Sequence, residues 1–282
     1  MKLENKFLSY FWNNFDFLIR FIYCRNAFFK KILFWKLYFS DFRKLDQKFE
    51  EMKKNTLKNR FDFEGKICLE IGPGNSYINA YNFLMNKAKK VILIDKFPRM
   101  VKSREQHKYF IQEIDYIKKK YAKENLFFFK DGKLDERYIK FISGDITNIN
   151  LLEKFDFIYS FSVLEHIKKI NETITALSKL LEKSGFMYHS IDLRDHYNFN
   201  KPFLFYKYSK NVWEKYLTRE GTSYTNRLRY DDFINFFKKH QLRIIYQSIK
   251  KQKLDQKNLN SEFKKKKLDS LQISSLDILM RK

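Results

Sequence analysis

The chain has 282 residues, with 57 Lys and Arg against 33 Asp and Glu for a formal net charge of +24, and 44% of it is hydrophobic. That share supports a sizeable core and excludes disordered, collagen-like and low-complexity architectures. Cys24 and Cys68 sit in apolar runs without metal-ligand spacing, which excludes a disulfide framework and a structural zinc. The charge suits an anionic partner such as nucleic acid or a membrane surface. However, Lys, Asn, Phe, Ile and Tyr are abundant together, as an AT-rich coding sequence would make them.

Residues 1–60 read as an N-terminal amphipathic and charged helical extension. Leu8, Phe11, Phe15, Leu18 and Phe21 or Ile22 recur at helical spacing, with Asp16 and Arg20 assigned to other faces. Glu4 and Asp16 interrupt the first apolar stretch and no small-residue cleavage site follows, so no secretory signal is read. Charges also break every run well short of the ~18 uncharged residues a membrane span needs. The expectation is a cytoplasmic protein. Arg20, Arg25, Lys30, Lys31 and Lys36 among bulky apolar residues leave two roles for residues 1–40: a lid over the site, or peripheral contact at the inner membrane face. The charged stretch from Asp41 to Arg60 reads as an exposed helix leading into the next unit.

From 61 to 282 short apolar runs alternate with helical stretches. The runs are Lys66 to Glu70, Val91 to Asp95, Tyr138 to Ile142, Phe155 to Ser160 and Phe186 to Ile191, which implies a parallel sheet. Two elaborations are expected, near 103–135 and 192–240. Helices are predicted near Tyr208 to Leu217 and Tyr230 to His240, and strands at Leu242 to Ser248 and Leu276 to Met280, able to pair antiparallel at a sheet edge. The lysine-rich stretch Lys250 to Lys267 between them reads as a mobile loop.

The chemistry-bearing positions fall at strand ends. KICLEIGPGNS is a buried strand closing on Glu70 and a glycine turn, where Gly72 and Gly74 let a ligand approach the backbone. VILID places Asp95 where a carboxylate can accept from both hydroxyls of a ribose. YIKFISGDI puts Gly144 and Asp145 at the end of the third strand, where an acid and adjacent backbone amides can contact an adenine edge. KFDFIYSFSVLEHI ends the fourth strand at Ser160, followed by Glu165 and His166. All four clusters share the strand C-terminal edge, where open α/β sheets bind ligands.

These segments, E-I-G-P-G, I-D, G-D-I and F-D-F-I-Y-S-F-S-V-L-E-H-I in that order, resemble the class I S-adenosylmethionine-dependent methyltransferases, especially the type 11 branch. The resemblance covers Lys66 to Ile191 well and the remainder loosely. It implies a Rossmann-like α/β fold with a mostly parallel seven-stranded sheet and flanking helices. It also implies S-adenosylmethionine as cofactor, with Glu70, Gly72 and Gly74 on the methionine side, Asp95 on the ribose, Asp145 and Ile146 on the adenine, and Ser160 and His166 at the same edge. Ser76 stands where the family often has a third loop glycine.

A sulfonium donor carries an activated methyl group, so alignment of an acceptor dominates, and a base matters only if the acceptor must lose a proton. His189, His196 and Asp192 are the candidates for base or acceptor contact; the same side chains could instead orient an acceptor through a divalent cation, or be ordinary hydrogen-bonded residues, and no metal is assigned. The aromatic stretch from Phe199 to Tyr216, with Asn226, Arg227 and Arg229, could hold a sugar or pack as lid and core. The expected acceptor is a small molecule or a lipid-linked or envelope saccharide. RNA methylation and a non-catalytic binding or docking module are the alternatives.

Overall fold

Five runs rich in Ile, Leu, Val and Phe form the expected parallel strands: β1 (Ile67–Ile71), β2 (Lys90–Asp95), β5 (Ile139–Ser143), β6 (Phe155–Phe161) and β7 (Leu181–Asp192). The short hairpin of β3 (Phe129–Lys130) and β4 (Lys133–Leu134) stands apart from them. With β8 (Arg243–Lys251) and β9 (Ile273–Arg281) they complete a seven-stranded sheet in the order β5-β2-β1-β6-β7-β9-β8. β9 runs antiparallel to both its neighbours, so the expected antiparallel pair exists, with β8 at the edge and β9 inside. This computed structural model describes residues 15–22, 41–97, 104–130, 132–197, 201–218, 224–257 and 259–282. Most of the expected helix over 7–38 lies outside them, as do Arg25, Lys30, Lys31 and Lys36.

The helices are α1 (15–22), α2 (Phe42–Lys58), α3 (Ile78–Met85), α4 (Arg104–Tyr121), α5 (Ile170–Leu180) and α6 (Tyr230–Lys239), besides shorter turns. Strand alternation divides the core. Cys68, Val91, Leu93, Phe157 and Tyr159 face one layer with Phe49 and Met52 of α2, α3, and Ile117 of α4. Leu69, Ile92, Ile94, Ile158 and Met187 face the other, with α5 and α6. The charged helix α2, expected to be exposed, therefore buries one face. Its Asp46 accepts from Asn82 Nδ2 of α3 at 2.8 Å and from the Tyr116 hydroxyl of α4 at 2.6 Å.

Three further differences bear on the site. α1 is turned over relative to its apolar pattern: Asp16 and Arg20 are buried, while Phe15, Phe17 and Leu18 are exposed. The cause is a buried ion cluster in which Arg20 Nε donates to Asp16 Oδ1 at 2.8 Å and its two terminal nitrogens donate to the Asp195 carboxylate at 3.0 and 2.5 Å. The aromatic stretch after β7 forms a third core of its own, built from Phe203, Phe205, Tyr206, Trp213, Leu254 and Phe263. Leu254 and Phe263 come from the lysine-rich stretch expected to be mobile, which instead contains the helical turn Ser261–Lys264 and leads into a second turn, Leu268–Leu271. Apolar residues hidden among lysines anchor it.

Candidate functional site at the strand C-terminal edge

β1 ends in Ile71 and the chain turns at Gly72 and Gly74, with φ of 68° and 61°, before α3 begins. A Cβ at Gly72 would lie 2.6 Å from Val163 Cγ2, so a side chain has no room there. Around Gly74 nothing among the described residues beyond its chain neighbours lies within 4 Å of such a Cβ, leaving a backbone cradle open to a ligand. Ser76 acts within the scaffold, where its Oγ accepts from Ile78 N at 3.3 Å at the start of α3 and donates to Glu113 Oε1. Glu113 is fully buried and also accepts from Tyr77 N at 3.0 Å, so the long α4 elaboration braces the glycine turn from behind.

Glu70 lies in the floor of the turn, 2% exposed, where its carboxylate accepts from Asn79 Nδ2 at 3.1 Å and from the Tyr159 hydroxyl at 2.8 Å. Burial pushes its pKa up to about 7 despite those two donors, with Asp95 and Glu113 adding to the rise. Asp95, at the end of β2, accepts from Gly74 N at 3.0 Å and from Phe97 N at 2.8 Å, tying the second strand to the turn of the first. Burial raises its pKa as well, against those two amides. Asp145 accepts from Thr147 N at 3.0 Å, shaping the turn after β5, and Ile146 is buried in the core beside it.

β6 leads into a tight corner. Ser162 takes φ of 55°, a conformation uncommon outside glycine, and its N–H donates to Ser190 O at 2.8 Å. The corner delivers the 3₁₀ turn Leu164–His166. Asn226 straps that turn, donating through Nδ2 to Leu164 O at 2.8 Å and to Ile167 O at 3.0 Å, and His166 Nδ1 lies 2.6 Å from Tyr224 O. Glu165 Oε1 accepts from Asp192 N at 3.1 Å, linking the ends of β6 and β7. Burial pushes Glu165 up to about 8, with Asp192 contributing. Burial also lowers His166, and it lowers His196 to about 4 with help from His166. Burial would raise Asp192, but the Arg194 guanidinium, 2.7 Å away, outweighs it and holds the carboxyl low.

Two of the candidate residues meet inside the sheet. Ser160 and His189 are register partners in β6 and β7 and are fully buried, with Ser160 Oγ 2.7 Å from His189 Nδ1 and the imidazole stacked on Phe237 of α6. Burial lowers His189 to about 3. Alternation places both on the face of Ile158 and Met187, under α6. Asn226, Arg227 and Arg229 are engaged in packing and hydrogen bonds within the fold. Arg227 lies over Trp213 and Phe263, each 5.1 Å from the ring centroid, and Arg229 is buried with its guanidinium donating to Leu193 O and Ile273 O.

A cavity of about 240 Å³ adjoins this corner, lined by Lys48, Ser162, Asp192, Arg194, Gln252 and Asp277 among others. Among the described residues no helix is long and apolar enough to cross a membrane.

Comparison with known families gives a match to the methyltransferase domain over residues 43–248, which spans α2 through β8. The chain belongs to this methyltransferase family. It is a class I S-adenosylmethionine-dependent enzyme with a Rossmann-like sheet. No curated protein sequence matches it. Among solved structures it is similar to a putative S-adenosylmethionine-dependent methyltransferase from Listeria monocytogenes, at 15% identity over 82% of this chain and 96% of that one, with a TM-score of 0.47. It is also similar to the N-methyltransferase NodS from Bradyrhizobium japonicum in complex with S-adenosylhomocysteine, at 14% identity over 88% and 90% of the two chains, with a TM-score of 0.45.

The methyltransferase site fits its cofactor on its own geometry. The open cradle at Gly74 admits a ligand to the backbone, and each carboxylate oxygen of Asp95 keeps a lone pair beyond its amide contact. Sequence reading missed Glu113. It placed Ser162 in the motif ending the fourth strand without the corner's left-handed backbone, and named Asn226 for a sugar rather than for the strap on the 3₁₀ turn.

Glu70 gives this methyltransferase a pH signature. Its carboxyl rises from an ordinary 4.5 to about 7, so the folded chain holds a proton the unfolded chain has released. Stability must then fall as pH rises through that window and level off above it, by at most roughly 3 kcal/mol from this group. Urea unfolding of Glu70→Gln beside wild type at pH 5 and pH 8 should show the variant gaining on wild type at the higher pH. Parallel pH slopes in the two proteins would refute the raised ionisation.

Proposed function

We propose that the chain methylates a hydroxylated small molecule or saccharide held in the polar cavity beside the glycine turn. In this reading Glu70, Gly72, Gly74, Asp95, Asp145 and Ile146 hold S-adenosylmethionine, and Asp192 and His196 contact the acceptor, with His166 beside them. The observation that carries it is the continuity of cavity and turn: Ser162 lines the cavity, and its neighbour Val163 abuts Gly72. The lining is polar and charged, and the volume of about 240 Å³ is below the range of drug-sized sites, which suits one small hydroxylated group. Single-stranded RNA would call for aromatic faces to stack on, yet the rings of the third core are buried against one another and under arginines.

The bound cofactor supplies a methyl group on a positively charged sulfur. The protein's part is placement: the Ser162 corner and Asn226 strap fix the 3₁₀ turn, and Arg194 keeps Asp192 ionised to accept from an acceptor hydroxyl. Such positioning can account for up to roughly 7–11 kcal/mol of the barrier.

Isothermal titration with S-adenosylhomocysteine tests the cofactor part. Asp95→Ala removes a carboxylate whose hydrogen bonds are each worth about 1.5–3 kcal/mol, so affinity should drop roughly 10- to 100-fold. Unchanged affinity in a folded variant would refute the assignment. Turnover on free and lipid-linked saccharides, compared with total RNA, then tests the acceptor; methylation of RNA alone would replace this reading with the nucleic-acid one.

A further inference from the structure

We propose that Glu165, His166 and His196 bind one divalent transition-metal cation beside Asp192, a residue of the cavity wall. A potential ligand atom from each of the three lies within 4.8 Å of the other two. Metal–ligand distances of about 2.0–2.2 Å separate opposing ligand atoms by up to roughly 4.2 Å, so small side-chain rotations close the set.

A second observation points to a cation independently of that grouping. Glu165 is 3% exposed, and while its Oε1 accepts from Asp192 N, its Oε2 is buried with no hydrogen-bond partner among the described residues. A carboxylate oxygen withdrawn from water without a partner is costly unless a positive group meets it. His166 is oriented as metal-binding histidines commonly are: its Nδ1 engages the Tyr224 carbonyl at 2.6 Å, which leaves Nε2 to present a lone pair. His196 Nε2 lies 3.7 Å from Asp192 Oδ2, which offers a fourth oxygen or an outer hydrogen-bond acceptor.

The three side chains come from two rigid strand ends. The Ser162 corner and Asn226 set Glu165 and His166, and the Arg20–Asp195 pair fixes the residue next to His196. Two imidazoles with one carboxylate suit manganese, iron, cobalt, nickel or zinc rather than calcium or magnesium, which favour all-oxygen shells. An oxygen of the acceptor would complete the shell from the side of Asp192, whose carboxylate lines the cavity. That last role rests on the acceptor reading above; the binding of the cation does not.

The test is a Co²⁺ titration of the full chain after dialysis against EDTA, followed by visible d–d absorption, with Zn²⁺ as competitor. Wild type should saturate at one equivalent and lose the bands to zinc. His196→Ala, whose side chain is half-buried, should abolish them while circular dichroism stays native, and Glu165→Gln should weaken binding at least tenfold. His107→Ala, on the exposed side of α4, should leave them intact. A wild-type protein without saturable bands, or bands that survive His196→Ala, overturns the site. S-adenosylhomocysteine titrated into the same metal-free protein separates the two readings: cofactor binding without cobalt binding removes the cation site alone, and cobalt binding without cofactor binding supports it while removing the cofactor assignment.

Discussion

Gly72→Val should abolish S-adenosylhomocysteine binding and lower unfolding free energy by about 2–5 kcal/mol, from backbone strain at positive φ together with overpacking. Both causes act at one atom. The residue holds φ of 68°, which a β-branched side chain tolerates poorly, and its first side-chain carbon would fall 2.6 Å from Val163 Cγ2. Val163 cannot yield easily, because Ser162 before it occupies a left-handed corner and Leu164 after it is fully buried. The comparison that isolates crowding is Gly74→Ala. That position shares the unusual φ, at 61°, but has nothing among the described residues beyond its chain neighbours within 4 Å of a new Cβ, so its cost should be near the 1–2 kcal/mol of a left-handed residue alone. Denaturant unfolding and calorimetric titration of both variants check this; a Gly72→Val protein that binds as wild type would sink the placement of the cofactor against this turn.

Arg20→Ala should cost about 3–5 kcal/mol, the range for breaking a buried ion pair by removing one partner. The Arg20 guanidinium stays charged despite full burial because Asp195 and Asp16 outweigh the loss of water, and the ring of Tyr197 lies 4.7 Å from it. Without it Asp16 keeps Lys207, at 3.2 Å, and the Tyr208 hydroxyl, at 2.7 Å. Asp195 is the stranded charge, left with the Tyr197 amide at 2.9 Å. Urea unfolding measures the loss, and its insensitivity to added salt would mark the pair as buried. A loss below 1 kcal/mol, the range of exposed pairs, would show that α1 does not dock as described. Since Asp195 precedes His196, the same variant should also loosen the acceptor side of the site.

The contrast between these residues shows what the amino-acid order discloses. Gly72, Asp95 and the strands around them were legible because each signal is local: a glycine pair after an apolar run, and an acid ending the next run. The inward turn of α1 was hidden. Asp16 and Arg20 are four apart and share a helix face, but their partner Asp195 is 175 residues from Arg20, and charges without a visible partner are assigned to solvent. The contact between Ser160 and His189 was hidden for a different reason. Both lie in strands buried on both faces, where alternation no longer separates inside from outside, and their mutual contact depends on the β6–β7 register. Glu113 was concealed within a helix of conspicuous charge. Its burial comes from Ser76 and the Tyr77 amide, 37 and 36 positions earlier.

The position of β9 bears on how the chain is assembled during synthesis. Among the described residues β8 pairs with β9 and with no other strand, yet β9 follows it by more than twenty residues and must seat between β8 and β7. When β8 leaves the ribosome, β1, β2, β5, β6 and β7 have already emerged and can pair, while β8 has no hydrogen-bonding partner and β7 carries an open edge. In that interval the nascent chain exposes two unpaired strand edges, the feature that makes partly folded proteins prone to association. Lysines between β8 and β9 disfavour association of that stretch with its copies, and β9 on arrival pairs with β7 on one side and β8 on the other.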